Sequence, residues 1–333
     1  MKKIRWGILS TAKIARNQLI PAIKKSQFGE VTAIASRSEE RAAQAAAEFG
    51  IEKSYGSYEE LLEDPDIDAV YNPLPNDMHV PWTIRAIDAG KHVLCEKPIA
   101  LDSRQAEQLV NHDKAHPDIK VMEAFMYRFH PQWQMVKSLV EDGRIGDIHQ
   151  INSVFTYFKD DPDNIRSNPE QGGGGLMDIG CYCISVPRWI YGKEPKRVSG
   201  VLQKHSQYGV DILGNAVLDF GEGCYASFTC GTQTFADQYV ELFGNKGKIR
   251  VNRPFNAPAD HNCILEVYHP DGTEIIEVVP ANQYTIQVDA MARAIIDGTD
   301  VPYPLTDALQ NMNVIDAIFK SADEHRMENV NSN

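Results

Sequence analysis

Ile4-Arg5-Trp6-Gly7-Ile8-Leu9-Ser10-Thr11-Ala12-Lys13-Ile14-Ala15 stands almost at the start of this 333-residue chain. Ile4–Leu9 is an apolar run of strand length. Lys13–Lys25 then sets Ile14, Ala15, Ile20 and Ile23 on one helical face. Between them lies a tight turn of small residues, the place where backbone N–H groups can approach a pyrophosphate at a helix N-terminus. The usual G-x-G-x-x-[GA] spacing reads here as Ser10-x-Ala12-x-x-Ala15. Small size survives, and the free φ of glycine is expected to be lost.

Working outward, the same alternation repeats. Val31–Ala35 reads as a strand, Ser38–Phe49 as an Ala-rich helix stopped by Gly50, and Tyr58–Leu62 as a short helix. Ala69–Tyr71 is a buried strand, Asn76 can cap a helix running to Ala89, and Lys91–Cys95 is a strand. Ser103–Ala115 and Lys120–Met122 add a helix and a strand. Strands alternating with helices imply parallel pairing, right-handed crossovers and a doubly wound, Rossmann-type dinucleotide-binding domain over residues 1–125. At the end of the second strand an NAD site places Asp or Glu to accept the ribose hydroxyls. This chain has Ser36-Arg37, which suits a 2′-phosphate instead. One charge-assisted hydrogen bond of roughly 1.5–3 kcal/mol favours NADP over NAD by about 10- to 100-fold.

Composition excludes other classes. With 33 basic and 46 acidic residues the formal charge is −13, the wrong sign for nucleic acid or an anionic membrane. The first residues carry too short an apolar stretch for a signal peptide, and no run reaches bilayer-spanning length. Six scattered cysteines give one C-x-C and no C-x-x-C, so core filling is expected and no metal site. A cytoplasmic protein is expected.

Residues 126–333 differ in character. A helix over Gln132–Glu141 precedes strand-like stretches at Ile148–Phe158, Val198–Gln203, Asn215–Phe220, Tyr225–Cys230, Tyr239–Phe243, Ile249–Val251, Leu265–Tyr268 and Glu274–Val279. Their spacing and turn signals predict an α+β domain on a large, mostly antiparallel open sheet. Helices near 176–191 and 284–296 are expected to cover one face, and a second subunit the other. A C-terminal helix is expected to pack back on the first domain.

Two segments carry chemistry. Glu96-Lys97-Pro98 ends the apolar run Lys91–Cys95, where a strand of an open sheet meets the ligand crevice. Pro98 disfavours the α region for Lys97, so the lysine stays at the strand end. Gly172-Gly-Gly-Gly175 leads into a helix carrying Asp178 and Tyr182 at i, i+4, on one face. The glycines are expected to let that helix end lie against a flat ligand.

These motifs, with Pro75-Asn76-x-x-His79, Glu123-Ala-Phe-Met126-Tyr-Arg128 and Gly174-Gly175-x-x-Asp178-Ile-Gly180, resemble the glucose–fructose oxidoreductase/inositol dehydrogenase/MocA family along essentially the whole chain. The resemblance implies that Lys97 protrudes into the nicotinamide site, often beside a cis bond to proline, and that the sheet's open face makes a homodimer or a dimer of dimers. Many members have histidine where this chain has Tyr182. That departure resembles the branch of NADP-linked D-xylose dehydrogenase and dimeric dihydrodiol dehydrogenase. It implies a cofactor-contacting set of Ser10, Thr11, Ala12, Ile14, Ser36, Arg37, Leu74, Pro75, Asn76, His79, Glu96, Lys97 and Arg128. Arg166, Tyr284 and Gln287 are candidate substrate-side groups.

Oxidising a secondary alcohol needs a base for the hydroxyl proton as hydride leaves. A free tyrosine, with pKa near 10, is a poor base at neutral pH, and a lysine ammonium within reach favours the phenolate. The expected catalytic set is therefore Tyr182 as acid/base, Lys97 as its electrostatic partner, and Asp178 orienting the lysine or the substrate. Which of Tyr182 and Lys97 carries the proton stays open. The expected activity is NADP(H)-linked oxidation of a sugar, polyol or cyclic diol. The alternatives are the reverse reduction of a keto- or anhydro-sugar, and a dinucleotide sensor without turnover.

Overall fold

The computed structural model describes residues 3–330, which form two compact units. The first comprises the described residues through Phe125 together with Tyr284–Leu309. The second comprises Met126–Gln283 together with the described residues from Gln310 on.

The first unit alternates β1 (Ile4–Leu9), α1 (Ile20–Lys25), β2 (Gly29–Ala35), α2 (Glu39–Phe49), β3 (Lys53–Tyr55), α3 (Tyr58–Glu63), β4 (Ala69–Asn72), α4 (Asn76–Asp88), β5 (His92–Cys95), α5 (Ser103–Lys114) and β6 (Val121–Glu123). All six strands are parallel in the order β3-β2-β1-β4-β5-β6. The order reverses between β1 and β4, the switch point where open α/β sheets bind ligands. β4 is buried throughout and β1 nearly so, as expected for central strands covered on both faces.

Local details depart from expectation for identifiable reasons. Helix α1 is preceded by a π turn over Ala15–Leu19, in which the Ile20 N–H reaches the Ala15 carbonyl. Pro21 follows directly. It has no N–H, and its ring would crowd the carbonyl four residues back, so the widened turn relieves that clash. Asn76 is the first residue of α4 and Pro75 its N-cap, with no side-chain capping bond. Ser10 keeps a glycine-like backbone after all: its φ is +107°.

The second unit holds α6 (Pro131–Glu141), β7 (Ile148–Phe158), α7 (Cys181–Tyr191), β8 (Arg197–Lys204), β9 (Asp211–Gly221), β10 (Cys224–Gly231), β11 (Gln233–Gly244), β12 (Lys248–Val251), β13 (Cys263–His269) and β14 (Gly272–Val278). Two helices follow, α8 (Gln283–Asp297) and α9 (Leu305–Glu324), then a two-residue strand β15 (Glu328–Asn329). The nine-stranded sheet runs β14-β13-β12-β11-β7-β10-β9-β8-β15, antiparallel except for the central β7–β10 pair. Helix α7 and the π turn before it cover one face; Arg188 of α7 reaches Asn311 of α9, and the Gly200 N–H donates to Ser321.

The helix expected near 284–296 is α8. From Tyr284 onward it belongs to the first unit, where Thr285 donates to the Ala22 carbonyl at 3.2 Å and Asp289 accepts from Ser26. Among the described residues, no helix is long and apolar enough to cross a membrane.

Candidate active site

The coenzyme end of the first unit is built on the turn after β1. Ser10 is held at its unusual φ by its N–H, which donates to the Ala35 carbonyl at 3.0 Å, while its hydroxyl accepts from the Ala12 N–H at 3.2 Å. A non-glycine residue at positive φ costs of order 1–3 kcal/mol, and such strain concentrates at ligand-binding turns. Thr11, Ala12 and Ile14 line the turn, half-buried. At the end of β2, Ser36 is buried and accepts from the Ser38 N–H, whereas Arg37 is exposed and within hydrogen-bonding reach of the Tyr58 hydroxyl. A serine and an exposed guanidinium, with no carboxylate between them, match a 2′-phosphate better than a free ribose diol.

Lys97 sits at the carboxyl end of β5, half-buried, in a cis peptide with Pro98. The loop around it is fixed from several sides. The Glu96 N–H donates to the Asn72 carbonyl at 3.0 Å, and the Ile99 N–H to Glu123 Oε1 at 2.8 Å. Glu96 Oε1 accepts from the buried Tyr71 hydroxyl at 2.6 Å. That carboxylate also helps burial raise the pKa of Tyr284, so Tyr284 lies beside it. His79 is buried, with its ring nitrogens 2.8 Å from the Pro98 and Leu74 carbonyls. Burial lowers its pKa to about 4, so the neutral ring donates to one of the two. His79 thus holds the backbone of two loops that the resemblance assigns to the cofactor.

In the second unit the tetraglycine has a reason the sequence did not show. A Cβ on Gly173 would lie 2.6 Å from the Arg166 carbonyl, and one on Gly174, where φ is +110°, would meet Asp211 Oδ1 at 2.1 Å. The unit's own backbone and Asp211 already require glycine at these two positions. Asp211, 2% exposed, reaches from β9 to accept the Leu176 N–H at 2.7 Å, and so caps the helical segment that carries Asp178 and Tyr182. Burial raises its pKa to about 6 despite that bond. A folded-state pKa above the unfolded value near 3.8 gives stability that is complete below the lower value and lost as pH rises through the higher one. Each pKa unit is worth about 1.4 kcal/mol. The stability of the natural protein relative to Asp211→Asn should therefore fall by about 2–3 kcal/mol between pH 4 and pH 7. Denaturant midpoints across that range check it; a flat difference contradicts it.

A second π turn, Leu176–Gly180, leads into α7. Such turns recur at functional sites because they re-aim side chains. Asp178 Oδ2 accepts from the Tyr157 hydroxyl at 2.6 Å and from Arg166 Nε at 2.8 Å. The charge of Asp178 raises the pKa of Arg166, while burial and then that same charge raise that of Tyr157. Tyr182, 5% exposed, packs against Phe155 and Phe255, with its hydroxyl 3.4 Å from Met126 Sδ. Phe155 and Tyr157 are two apart on β7 and so share a face. Asp178 and Tyr182 therefore stand over neighbouring positions of one sheet face. Beside Asp178 lies a small pocket lined by Tyr157, Lys159, Asn164, Arg166, Thr232 and Gln233.

Two other expected residues are buried. Arg128 is 1% exposed and donates to Ser185 Oγ at 2.7 Å inside the second unit. Gln287 is fully buried in the first unit, and its amide finds no partner among the described residues. Sequence reasoning missed Asn72, Tyr157 and Asp211. Asn72 had a signal, a polar residue closing a buried strand just before proline; the other two bond to residues far away in the chain.

Comparison with known proteins places this geometry. Residues 4–125 match the oxidoreductase family with an NAD-binding Rossmann fold, and residues 133–250 match the GFO/IDH/MocA C-terminal domain. The chain is 37% identical over 321 residues to the D-xylose 1-dehydrogenase (NADP(+)) 2 of Haloferax volcanii, covering 96% of this chain and 97% of that one. It is 31% identical over 255 residues to the trans-1,2-dihydrobenzene-1,2-diol dehydrogenase of Mus musculus, covering 75% of each. Among solved structures it resembles a 3-ketoreductase from Actinomadura kijaniata in complex with NADP and TDP-benzene, with a TM-score of 0.91, 34% identity and coverage of 96% and 98%. The chain is a member of the GFO/IDH/MocA family, an oxidoreductase with an NAD-binding Rossmann fold.

Proposed function

We propose that this enzyme transfers a hydride between NADP(H) and a CH–OH carbon of a sugar, a polyol or a cyclic trans-diol. The observation that carries the reading is the end of β2, where Ser36 and the exposed Arg37 occupy the place of a ribose-binding acid. The xylose dehydrogenase and the ketoreductase, both NADP proteins by name, support it. Tyr157, Asn164, Arg166 and Gln233, around a small pocket beside Asp178, are hydrogen-bonding groups of the kind a polyhydroxylated substrate uses.

The dinucleotide, when bound, supplies the hydride acceptor or donor. Tyr182 takes the substrate hydroxyl proton during oxidation and returns it during reduction. Lys97 contributes an ammonium that favours the phenolate and stabilises negative charge on the substrate oxygen. Asp178, pinned by Tyr157 and Arg166, orients the substrate or the lysine, and Tyr284 lies on the substrate side of the first unit. The same residues run backwards reduce a keto-sugar, a reading that the likeness to the ketoreductase favours as the second choice.

Arg37→Ala tests the coenzyme assignment. NADPH affinity, followed by nicotinamide fluorescence, should fall about 10- to 100-fold, with NADH affinity changed by less than about threefold. An equal loss for both coenzymes, or none, contradicts it.

The exposed side of the second sheet is proposed as a homodimer face. It carries Val201, Val217 and Tyr225 among a polar set of Asn152, Asn215 and Ser227. Sedimentation should show a dimer at micromolar concentration; monomer alone removes the assignment.

A further inference from the structure

We propose that the first unit carries a binding site for a divalent transition cation of the Zn²⁺ class, formed by Asp88, His112 and His116, away from the coenzyme loops of that unit. Asp88 is the last residue of α4, His112 lies in the last turn of α5, and His116 stands just beyond that helix. One donor atom from each lies within 4.8 Å of the other two. Only a small closure is needed to reach the roughly 2.0–2.2 Å bonds of a zinc site.

The donors are already oriented. His116 Nδ1 is 2.9 Å from the His112 carbonyl, which can only accept, so Nδ1 carries the proton and Nε2 keeps its lone pair for a metal. His112 Nε2–H donates to Asp88 Oδ1 at 2.8 Å, a proton that a bound cation displaces, and the two imidazoles lie 4.6 Å apart between ring centres. Asp88 is exposed and both histidines are half-buried, so a hydrated cation has access. The backbone adds to the attraction. Both α4 and α5 end here, and the unpaired carbonyls of a helix C-terminus carry partial negative charge. Asp113 lies close enough to Lys120 and to both histidines to feel their charge.

Two imidazoles and one carboxylate select Zn²⁺, Ni²⁺ or Cu²⁺ over Mg²⁺ or Ca²⁺, which prefer oxygen ligands. Three protein ligands leave one position for water. The site is separated from the coenzyme loops by the length of α4: Asp88 stands twelve residues after Asn76, about 18 Å along the helix. Its effect is to clamp the C-terminal ends of α4 and α5 together, stabilising the dinucleotide-binding unit without entering the chemistry.

The test uses the full chain without a histidine tag, stripped with chelator. Titration with ZnCl₂ in a calorimeter should show one tight site of micromolar affinity, and saturating Zn²⁺ should raise the melting temperature by roughly 5 °C. His112→Gln and His116→Gln should each weaken binding by about tenfold or more while leaving the circular dichroism spectrum and metal-free melting temperature unchanged. Mg²⁺ should give no shift. Absence of binding at about 100 µM Zn²⁺, or equal binding to the variants, overturns the proposal; the second outcome would place the metal elsewhere, such as at a cysteine.

Discussion

Tyr182→Phe is expected to lower turnover by about 10²- to 10⁴-fold while leaving NADPH affinity intact. The substitution removes the oxygen and keeps the ring. The hydroxyl faces the sulfur of Met126 at 3.4 Å, a weak acceptor, and the ring is held by Phe155 and Phe255 through contacts phenylalanine keeps. The ring contacts that hold this side chain in the second unit are kept. A large drop in turnover with an unchanged melting temperature and NADPH affinity is what a proton-transfer role requires. Near-normal turnover would remove Tyr182 from the chemistry and leave it as an aromatic core residue.

Lys97→Ala should cost turnover about 10²- to 10³-fold, the scale of losing one preorganised charge next to a reacting oxygen. The loop should survive, because Glu96, Pro98 and Ile99 are anchored by Asn72, His79 and Glu123 through bonds that do not use the lysine side chain. The pH profile separates the two roles left open by the sequence. If Lys97 assists the tyrosine, its loss leaves the phenolate harder to form, and residual activity in the oxidation direction climbs toward high pH. If the lysine is itself the base, that alkaline rise is absent. Arginine should not restore activity, since its planar fork cannot take the place of a compact ammonium.

How much of this was legible in the sequence depended on how local the cause was. The β1-turn-helix unit could be read because apolar period and turn size are local signals, and Arg37 because one side chain decides the coenzyme. β3 could not be read: three half-buried residues, Lys53–Tyr55, at a sheet edge show no alternation. The helix after Gln283 was recognisable as a helix, but an apolar stripe does not say which core it serves, and it went to the first unit. The glycine run was visible and its reason hidden, because Asp211 lies 35 residues from the N–H it caps. Ser10 shows the opposite limit. Its position demands positive φ, and the fold imposes that on a residue that does not prefer it.

The catalytic assignments rest on one claim, that this chain carries hydride between NADP and a polyhydroxylated or diol substrate. The direct measurement is reduced-coenzyme formation at about 340 nm, using the full enzyme with NADP⁺ or NAD⁺ and a panel of pentoses, hexoses and cyclic trans-diols. At least one member should be oxidised, with a kcat/KM for NADP⁺ about tenfold or more above that for NAD⁺. Turnover that prefers NAD⁺, or no reduction of either coenzyme by any member of the panel, would contradict it.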